Sequence, residues 1–178
     1  MSEDSHEGPR DERAPGAEGP NAMIMQGYLQ ILREQVSRYA GTLRDVVLLA
    51  PAYALLMFHL LNDPRLTRQH RLLVDAALAY LVSPNDVIPE EEVGPYGYLD
   101  DIFCCAYVAH RIAEELGWEI VEESWTGDGS VSEVSERVLA REQELLGHAG
   151  DDVLRFAGLL DRPEEEGPAG PALGPARA

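Results

Sequence analysis

Three aspartates around a proline-rich connector are the residues of this sequence best suited to chemistry. Asp86 lies within the connector, and Asp100 and Asp101 lie side by side where the next helix is predicted to begin. Carboxylates gathered by a turn and a helix start are the oxygen ligands that a hard cation such as Mg²⁺, Mn²⁺ or Ca²⁺ requires. The sequence therefore offers one candidate metal site, formed by these three residues, and indicates no other cofactor. Their spacing matches no closed coordination loop such as an EF-hand.

The same aspartates have a structural interpretation, which the sequence favours over the metal. Asp100 falls on the polar side of its predicted helix, and we expect it to be solvated. Asp101 falls on the apolar flank, where a carboxylate needs a partner. We expect Asp101 to accept backbone N–H bonds from the loop at 83–88, which would lock the two neighbouring helices together. Asp86 and Asp100 would then cap turns and helix ends.

The other reactive side chains favour no catalytic site. His110, near the centre of an apolar helix face, could be a metal ligand or a general base, but a core histidine is the favoured interpretation. Cys104 and Cys105 are the only cysteines. Adjacent helical side chains point about 100° apart, which is poor geometry for bonding each other or sharing a metal. No nucleophile elbow, phosphate-binding glycine loop or zinc spacing occurs. The sequence leans towards a protein without enzymatic activity.

The connector itself has pronounced turn chemistry. Ser83 and Pro84 open a first turn, and Pro89 keeps Ile88 in an extended conformation. Gly97 belongs to a second turn, directly before the next predicted helix. The positions that carry this pattern are Tyr80, Ser83, Pro84, Asp86, Ile88, Pro89, Gly97, Leu99, Asp100 and Asp101.

With these residues at this spacing, the segment around 76–113 resembles the YkvA-like family of bacterial domains of unknown function. The resemblance extends over roughly 70–113, which is less than half of the chain. It implies no activity. Some members of the family are predicted to be embedded in membranes, so the resemblance also raises membrane association as an alternative.

Composition restricts the class of partner and the domain organisation. The chain of 178 residues has a formal net charge of −18, which disfavours nucleic acid as a partner because phosphate binding needs a basic surface. Residues 1–20 and 162–178 are rich in proline and glycine and are expected to be disordered tails. Residues 21–161 are expected to form a single helical domain. The amino terminus has no signal-peptide pattern, and the unpaired cysteines fit a reducing compartment, so we expect a cytoplasmic protein.

Apolar residues at helical spacing predict an all-α bundle of about six helices. The bundle is organised around an antiparallel pair at 65–82 and 99–116. We expect Asp63 to be the N-cap of the first helix of this pair. We also expect Ser130 and Glu133 to form a capping box for a later helix.

Two segments leave alternatives open. The segment 118–125 is predicted to be a short irregular or helical connector. The apolar run 46–61 contains Pro51 and His59 and is shorter than the roughly 20 residues that span a bilayer. A buried core helix is therefore favoured over a membrane span for this run.

Three functions follow from these observations. The favoured one is a non-catalytic helical module that binds a protein partner, with the tails acting as tethers or spacers. The second is a metal-dependent enzyme or sensor that uses Asp86, Asp100 and Asp101. The third is a membrane-associated protein whose helices at 43–61 and 65–82 dock to lipid. No pattern specifies the partner, the pathway or the oligomeric state.

Overall fold

The computed structural model describes residues 20–83, 88 and 94–160, and these residues form α-helices joined by short loops, with no strand among them. The all-α prediction is therefore confirmed. The predicted tails lie almost wholly outside the described residues. The connector residues Pro84, Asp86 and Pro89 also lie outside them.

The described helices are numbered along the chain. They are α1 Pro20–Ser37, α2 Arg44–Val47, α3 Ala50–Leu61, α4 Arg68–Leu81, α5 Tyr98–Leu116, α6 Trp118–Ser124, α7 Val131–Ala140, α8 Glu142–Leu146 and α9 Gly150–Phe156, with a 3₁₀ turn at Gly94–Gly97 before α5.

Helix α5 is the centre of the bundle. Every residue from Tyr98 to Ala106 is buried, and α5 contacts α2, α3, α4, α6, α7, α8 and α9. A helix that is apolar over most of its circumference must be covered on most sides, because each exposed apolar side chain forfeits its transfer free energy. The sequence composition of α5 thus explains its central place, and everything at its first turn is removed from solvent.

Two predicted helices are divided in the structure. Pro51 in the predicted helix up to Leu61 allows either a kink or a break that puts Pro51 in the first turn of a second helix. The structure has the break: α2 precedes it, and Pro51 stands in the first turn of α3, where its missing N–H costs nothing. The segment predicted as one helix after Ser130 is split into α7 and α8. The segment 118–125 was expected to be either irregular or helical, and the structure has a helix there, α6.

The start of α4 differs from the prediction. The helix begins at Arg68 with Thr67 as its N-cap, and Thr67 and His70 form a reciprocal capping box. Asp63 is not the N-cap; its Oδ1 accepts the backbone N–H of Arg65 at 2.8 Å, and its carboxylate binds the Arg65 guanidinium at 2.6 Å. The Arg65 hydrogen bonds lower the pKa of Asp63. The aspartate therefore stabilises the turn before the helix.

The predicted capping box at Ser130 and Glu133 is wrong, because Ser130 makes no side-chain cap. Glu122 in α6 supplies the acceptor instead: its two oxygens accept the N–H groups of Val131 and Ser132, each at 3.1 Å. Burial would raise the pKa of Glu122, but these bonds and one from the Ser130 hydroxyl outweigh burial and lower it. A residue distant from the helix start thus performs the capping.

One segment within the described residues, Arg44–Leu61, is long and apolar enough to cross a membrane by length and composition alone, and half of it is buried in the bundle. The core helix of a soluble protein meets the same criteria. The side chains of Tyr53, Leu56 and Met57 in this segment are completely buried, which is the burial that a core helix requires.

Candidate functional site

Asp100, in the first turn of α5, is completely buried and accepts three hydrogen bonds. The Tyr80 hydroxyl donates to Oδ2 at 2.6 Å, and the Ile88 N–H donates to the same oxygen at 3.0 Å. The backbone N–H of Asp101 donates to Oδ1 at 3.1 Å. One carboxylate therefore ties the end of α4, the connector and the start of α5 together.

The expectation that Asp100 is solvated is wrong. It rested on the polar residues further along the same helix side, such as Arg111, which is indeed 45% exposed. The first turn of α5 has different surroundings, because the end of α4 and Ile88 cover it. A helical projection gives the direction of a side chain but not what lies beyond it.

Burial raises the pKa of Asp100, and the bonds from Tyr80, Ile88 and the backbone of the first turn only partly oppose this. Charged carboxylates lose hydration on burial, so each donor that replaces water stabilises the ionised form. A carboxylate offers about four acceptor positions, and three of those of Asp100 are occupied by protein donors. A metal or a substrate proton would have to compete with these donors.

Asp101 is 1% exposed, which confirms its expected burial on the apolar flank. It also takes part in a polar or electrostatic interaction. Its neighbours Cys104 and Cys105 are buried free thiols. Burial raises the pKa of both thiols, and the nearby Asp101 charge raises them further. Low-pKa cysteine chemistry is therefore disfavoured at this position.

The candidate metal ligands come together only in part. Asp100 and Asp101 adjoin each other at the start of α5, whereas Asp86 falls outside the described residues. Of the loop at 83–88 that was expected to bond Asp101, the Ile88 N–H donates to Asp100 instead, and residues 84–87 lie outside the described residues. Within the part of the chain that the structure describes, no group of three His, Cys, Asp or Glu side chains could hold a metal ion. The three-aspartate site stays a prediction.

The remaining motif residues surround Asp100 structurally. Ser83 is half-buried and its N–H donates to the Tyr80 carbonyl at 3.0 Å. Gly97 is buried at the end of the 3₁₀ turn, and Leu99 is completely buried in α5. These positions fix the path of the chain on both sides of the connector.

Two tyrosine contacts join α1 to this site, and the sequence analysis missed both. The Tyr28 hydroxyl donates to the Leu81 carbonyl at the end of α4 at 3.1 Å. The Tyr98 hydroxyl donates to Gln35 at 2.5 Å. Tyrosine in an apolar stripe is the signal that could have revealed them, because a buried phenol generally finds a polar partner.

His110 is not a core histidine, contrary to the prediction. Its side chain is 37% exposed and lies 3.8 Å from Glu114, and its ring meets the edge of Trp118 at a centroid distance of 5.9 Å. The short helix α6 follows α5 so closely that Trp118 stands beside the histidine. A bound metal or a buried base at His110 has no support in this geometry.

His70, in α4, is buried and contacts α5. Its Nε2 lies 2.8 Å from Oε2 of Glu115 near the end of α5, and its Nδ1 lies 3.0 Å from the Thr67 hydroxyl. The order hydroxyl, imidazole, carboxylate resembles that of a catalytic triad. Here the same hydroxyl accepts the His70 N–H as a helix cap, which indicates a structural use of all three groups.

One apolar surface adjoins the Asp100 site. Phe156 of α9 is 59% exposed, and its ring meets that of Tyr80 edge-on with centroids 6.0 Å apart. Further along α4, a cavity of about 250 Å³ opens between α4, α5 and the chain after α9. We call this region the α4–α9 surface and define it by Leu73, Tyr107, Phe156 and Leu160.

Comparison with known proteins places the motif in a recognised segment. Residues 70–107 match the family described as "Protein of unknown function (DUF1232)". The chain is also similar to "Uncharacterized protein ORF9" of Methanothermobacter thermautotrophicus, with 34% identity over 130 residues, which are 73% of this chain and 89% of the relative. No solved structure gives a significant match. The matched segment contains His70, Tyr80 and Asp100 but ends before Glu115.

Proposed function

The chain belongs to the DUF1232 family of proteins of unknown function, and from that premise we propose that it is a non-catalytic helical module that binds a protein partner. The set of three hydrogen bonds to Asp100 carries the proposal. A carboxylate engaged by internal donors holds structure in place, whereas a catalytic base or metal ligand needs free acceptor positions. On this proposal, the hydrogen bonds to Asp100 hold α4 and α5 together, and we call this set of contacts the clamp.

The clamp supports the α4–α9 surface, where we place the partner. The Tyr80 hydroxyl donates to Asp100, and the Tyr80 ring contacts the ring of Phe156. The buried hydrogen bond therefore fixes the position of the tyrosine ring that the exposed Phe156 side chain contacts. An exposed aromatic side chain near a cavity lined by half-buried leucine and tyrosine side chains is typical of protein-binding surfaces. The matching partner segment would present apolar side chains, and the net charge of −18 disfavours nucleic acid here.

A pull-down from the native host tests this proposal. We expect a defined protein to be retained by the wild-type chain and lost with Phe156→Glu. Ile31→Glu is the matched control, since Ile31 is an equally exposed apolar residue on α1. Circular dichroism verifies that all variants are folded. Retention of the same protein by every variant, or by none including the wild type, contradicts the proposal.

Divalent-cation binding is a second candidate, and the adjoining buried carboxylates of Asp100 and Asp101 favour it. A cation that binds only the folded chain raises its melting temperature by mass action. On the clamp proposal, EDTA and millimolar Mg²⁺, Mn²⁺ or Ca²⁺ leave the melting temperature unchanged. A cation-dependent rise that disappears in Asp101→Asn would replace the clamp with a metal site.

Membrane association is a third candidate, and the segment Arg44–Leu61 favours it. We propose a cytoplasmic location instead, since that segment contributes completely buried side chains to the bundle. Fractionation of native cells distinguishes the two locations. Recovery in a membrane pellet that withstands an alkaline carbonate wash contradicts a cytoplasmic location.

A further inference from the structure

A cavity of about 370 Å³ lies between the end of α1, the junction of α2 and α3, and the loop that follows α6. Ligand cavities in proteins have volumes of about 300–1,000 Å³, and they are mostly apolar with a few polar groups that orient the ligand. This cavity has the volume of a small-molecule site. Its lining decides which small molecule fits.

One wall of the cavity is apolar. It consists of Val36, Leu48, Pro51 and Ala52. Val36 and Pro51 are buried, and Leu48 and Ala52 are half-buried. Leu48 follows α2 and Pro51 stands in the first turn of α3, so the wall follows the break between these two helices. An apolar ligand body gains free energy when it leaves water and packs against such a wall.

Arg33 supplies the positive charge of the cavity. It makes no ion pair with any residue that the structure describes. By contrast, Arg65 and Arg155 each bind a carboxylate at 3.0 Å or less. The sequence has 32 acidic and 14 basic residues, so acidic partners are abundant, yet this guanidinium stays available to a ligand. Arginine binds carboxylates well because its planar N–H groups match their two oxygens.

Hydroxyl groups complete the polar lining. The Ser37 hydroxyl donates to the Glu34 carbonyl at 3.0 Å, which leaves its oxygen as an acceptor. The Thr126 hydroxyl also lines the cavity and can donate to a ligand oxygen. The described residues that line the cavity include no aspartate or glutamate, although the whole chain has a net charge of −18. The lining therefore attracts an anion and contains no carboxylate that would repel it.

We propose that this cavity binds a small organic carboxylate with an apolar body. The carboxylate binds Arg33 and Thr126, and the body packs against the apolar wall. One water occupies about 30 Å³ in the liquid, so the cavity holds about a dozen non-hydrogen atoms. A short-chain fatty acid fits this volume. The cavity shares no lining residue with the α4–α9 surface, so this proposal and the protein partner can fail independently.

Calorimetric titration of the full chain with hexanoate at pH 7 tests the proposal. We expect a Kd on the order of 1 mM, which is ordinary affinity for a ligand of about eight non-hydrogen atoms. The alcohol 1-hexanol has the same apolar body without the charge, and it should bind about tenfold more weakly because a guanidinium–carboxylate bond is charge-assisted. Equal affinity for hexanoate and 1-hexanol overturns the proposal, as does an absence of hexanoate binding up to about 20 mM.

A matched pair of arginine variants locates the binding. Arg33→Gln should weaken hexanoate binding about tenfold and leave 1-hexanol binding unchanged. Arg38→Gln is the control, because Arg38 is also exposed but does not line the cavity, and it should bind hexanoate like the wild type. Equal weakening by the two variants would mean that diffuse positive charge attracts the anion, and would overturn the proposal.

Two further measurements test the apolar wall. Ala52→Leu adds carbon atoms to the cavity and should weaken hexanoate and 1-hexanol binding alike, with circular dichroism as the check that the variant is folded. Inorganic phosphate is the second probe, since it has charge but no apolar body, and it should bind at least tenfold more weakly than hexanoate. Phosphate binding as tight as that of hexanoate, or unchanged hexanoate binding in folded Ala52→Leu, contradicts the proposed site.

Discussion

The two ends of the α4–α5 pair use the same kind of contact in different surroundings. At one end, Asp100 accepts bonds from Tyr80 and Ile88 and is completely buried. At the other end, Glu115 binds His70 but is 55% exposed. Water can replace a lost partner at the exposed end but not at the buried one. The buried end should therefore determine whether the pair stays together, and the exposed end should adjust it only slightly.

Removal of the buried carboxylate should have the largest effect on the free energy of unfolding. Asp100→Ala leaves the Tyr80 hydroxyl and two backbone N–H groups without an acceptor, and we expect a loss of about 3 kcal/mol in the free energy of unfolding. Urea denaturation at pH 7 measures it. Asp100→Asn, which keeps the shape and one acceptor oxygen, should lose less than half as much. Equal losses for the two variants would show that charge, and not hydrogen-bond acceptance, holds the clamp.

Removal of one hydrogen-bond donor to Asp100 should lower the free energy of unfolding by a smaller amount. Tyr80→Phe keeps the ring against Phe156 but deletes the bond to Asp100, and we expect a loss of about 1.5 kcal/mol. Tyr28→Phe, whose hydroxyl binds the Leu81 carbonyl at the half-buried edge, is the matched control and should lose about 0.5 kcal/mol. If Tyr28→Phe loses more free energy of unfolding than Tyr80→Phe, the attachment of α1 to the end of α4 matters more than the clamp.

The pH dependence of stability should show the buried acid directly. Because the folded-state pKa of Asp100 is raised, the folded protein binds a proton more readily there than the unfolded chain does. The contribution of Asp100 to stability therefore increases as pH falls through the raised folded value towards the usual value of about 4. The stability difference between wild type and Asp100→Asn should be greater at pH 5 than at pH 8. A smaller difference at pH 5 would mean that the folded-state pKa is lowered.

A substitution at the exposed end of the α4–α5 pair should change the stability least. Glu115→Gln removes a charge that faces water, and we expect a change of no more than about 0.5 kcal/mol. Thermal melting beside Asp100→Asn provides the comparison. If Glu115→Gln is as costly as Asp100→Asn, burial does not distinguish the two ends, and the His70 contact holds the pair equally.

The sequence was sufficient for elements that depend on local pattern. The all-α fold, the antiparallel α4–α5 pair and the burial of Asp101 follow from apolar spacing, because a helix must bury its apolar side. The central place of α5 follows from its nearly continuous apolar circumference. These properties depend on which residues are in the helix and not on what surrounds it.

The errors share one physical cause, which is that a partner distant in the chain decides the outcome. Asp100 is buried because the end of α4 covers it, and His110 is exposed because α6 leaves it beside Trp118. Likewise α7 is capped by Glu122 and not by its own Ser130. Local capping rules name the residue types that can act, but several acceptors of the same type compete for each helix start.

By itself, the sequence determined that this protein is a helical bundle built around α5, with a motif of turn-forming residues and aspartates between α4 and α5. Only the tertiary structure decided which aspartate Tyr80 and Ile88 bind, and which helices cover the first turn of α5. Periodicity fixes the direction of a side chain relative to its own helix. Its solvation and its hydrogen bonds depend on atoms brought from elsewhere in the chain, and a linear pattern does not contain those distances.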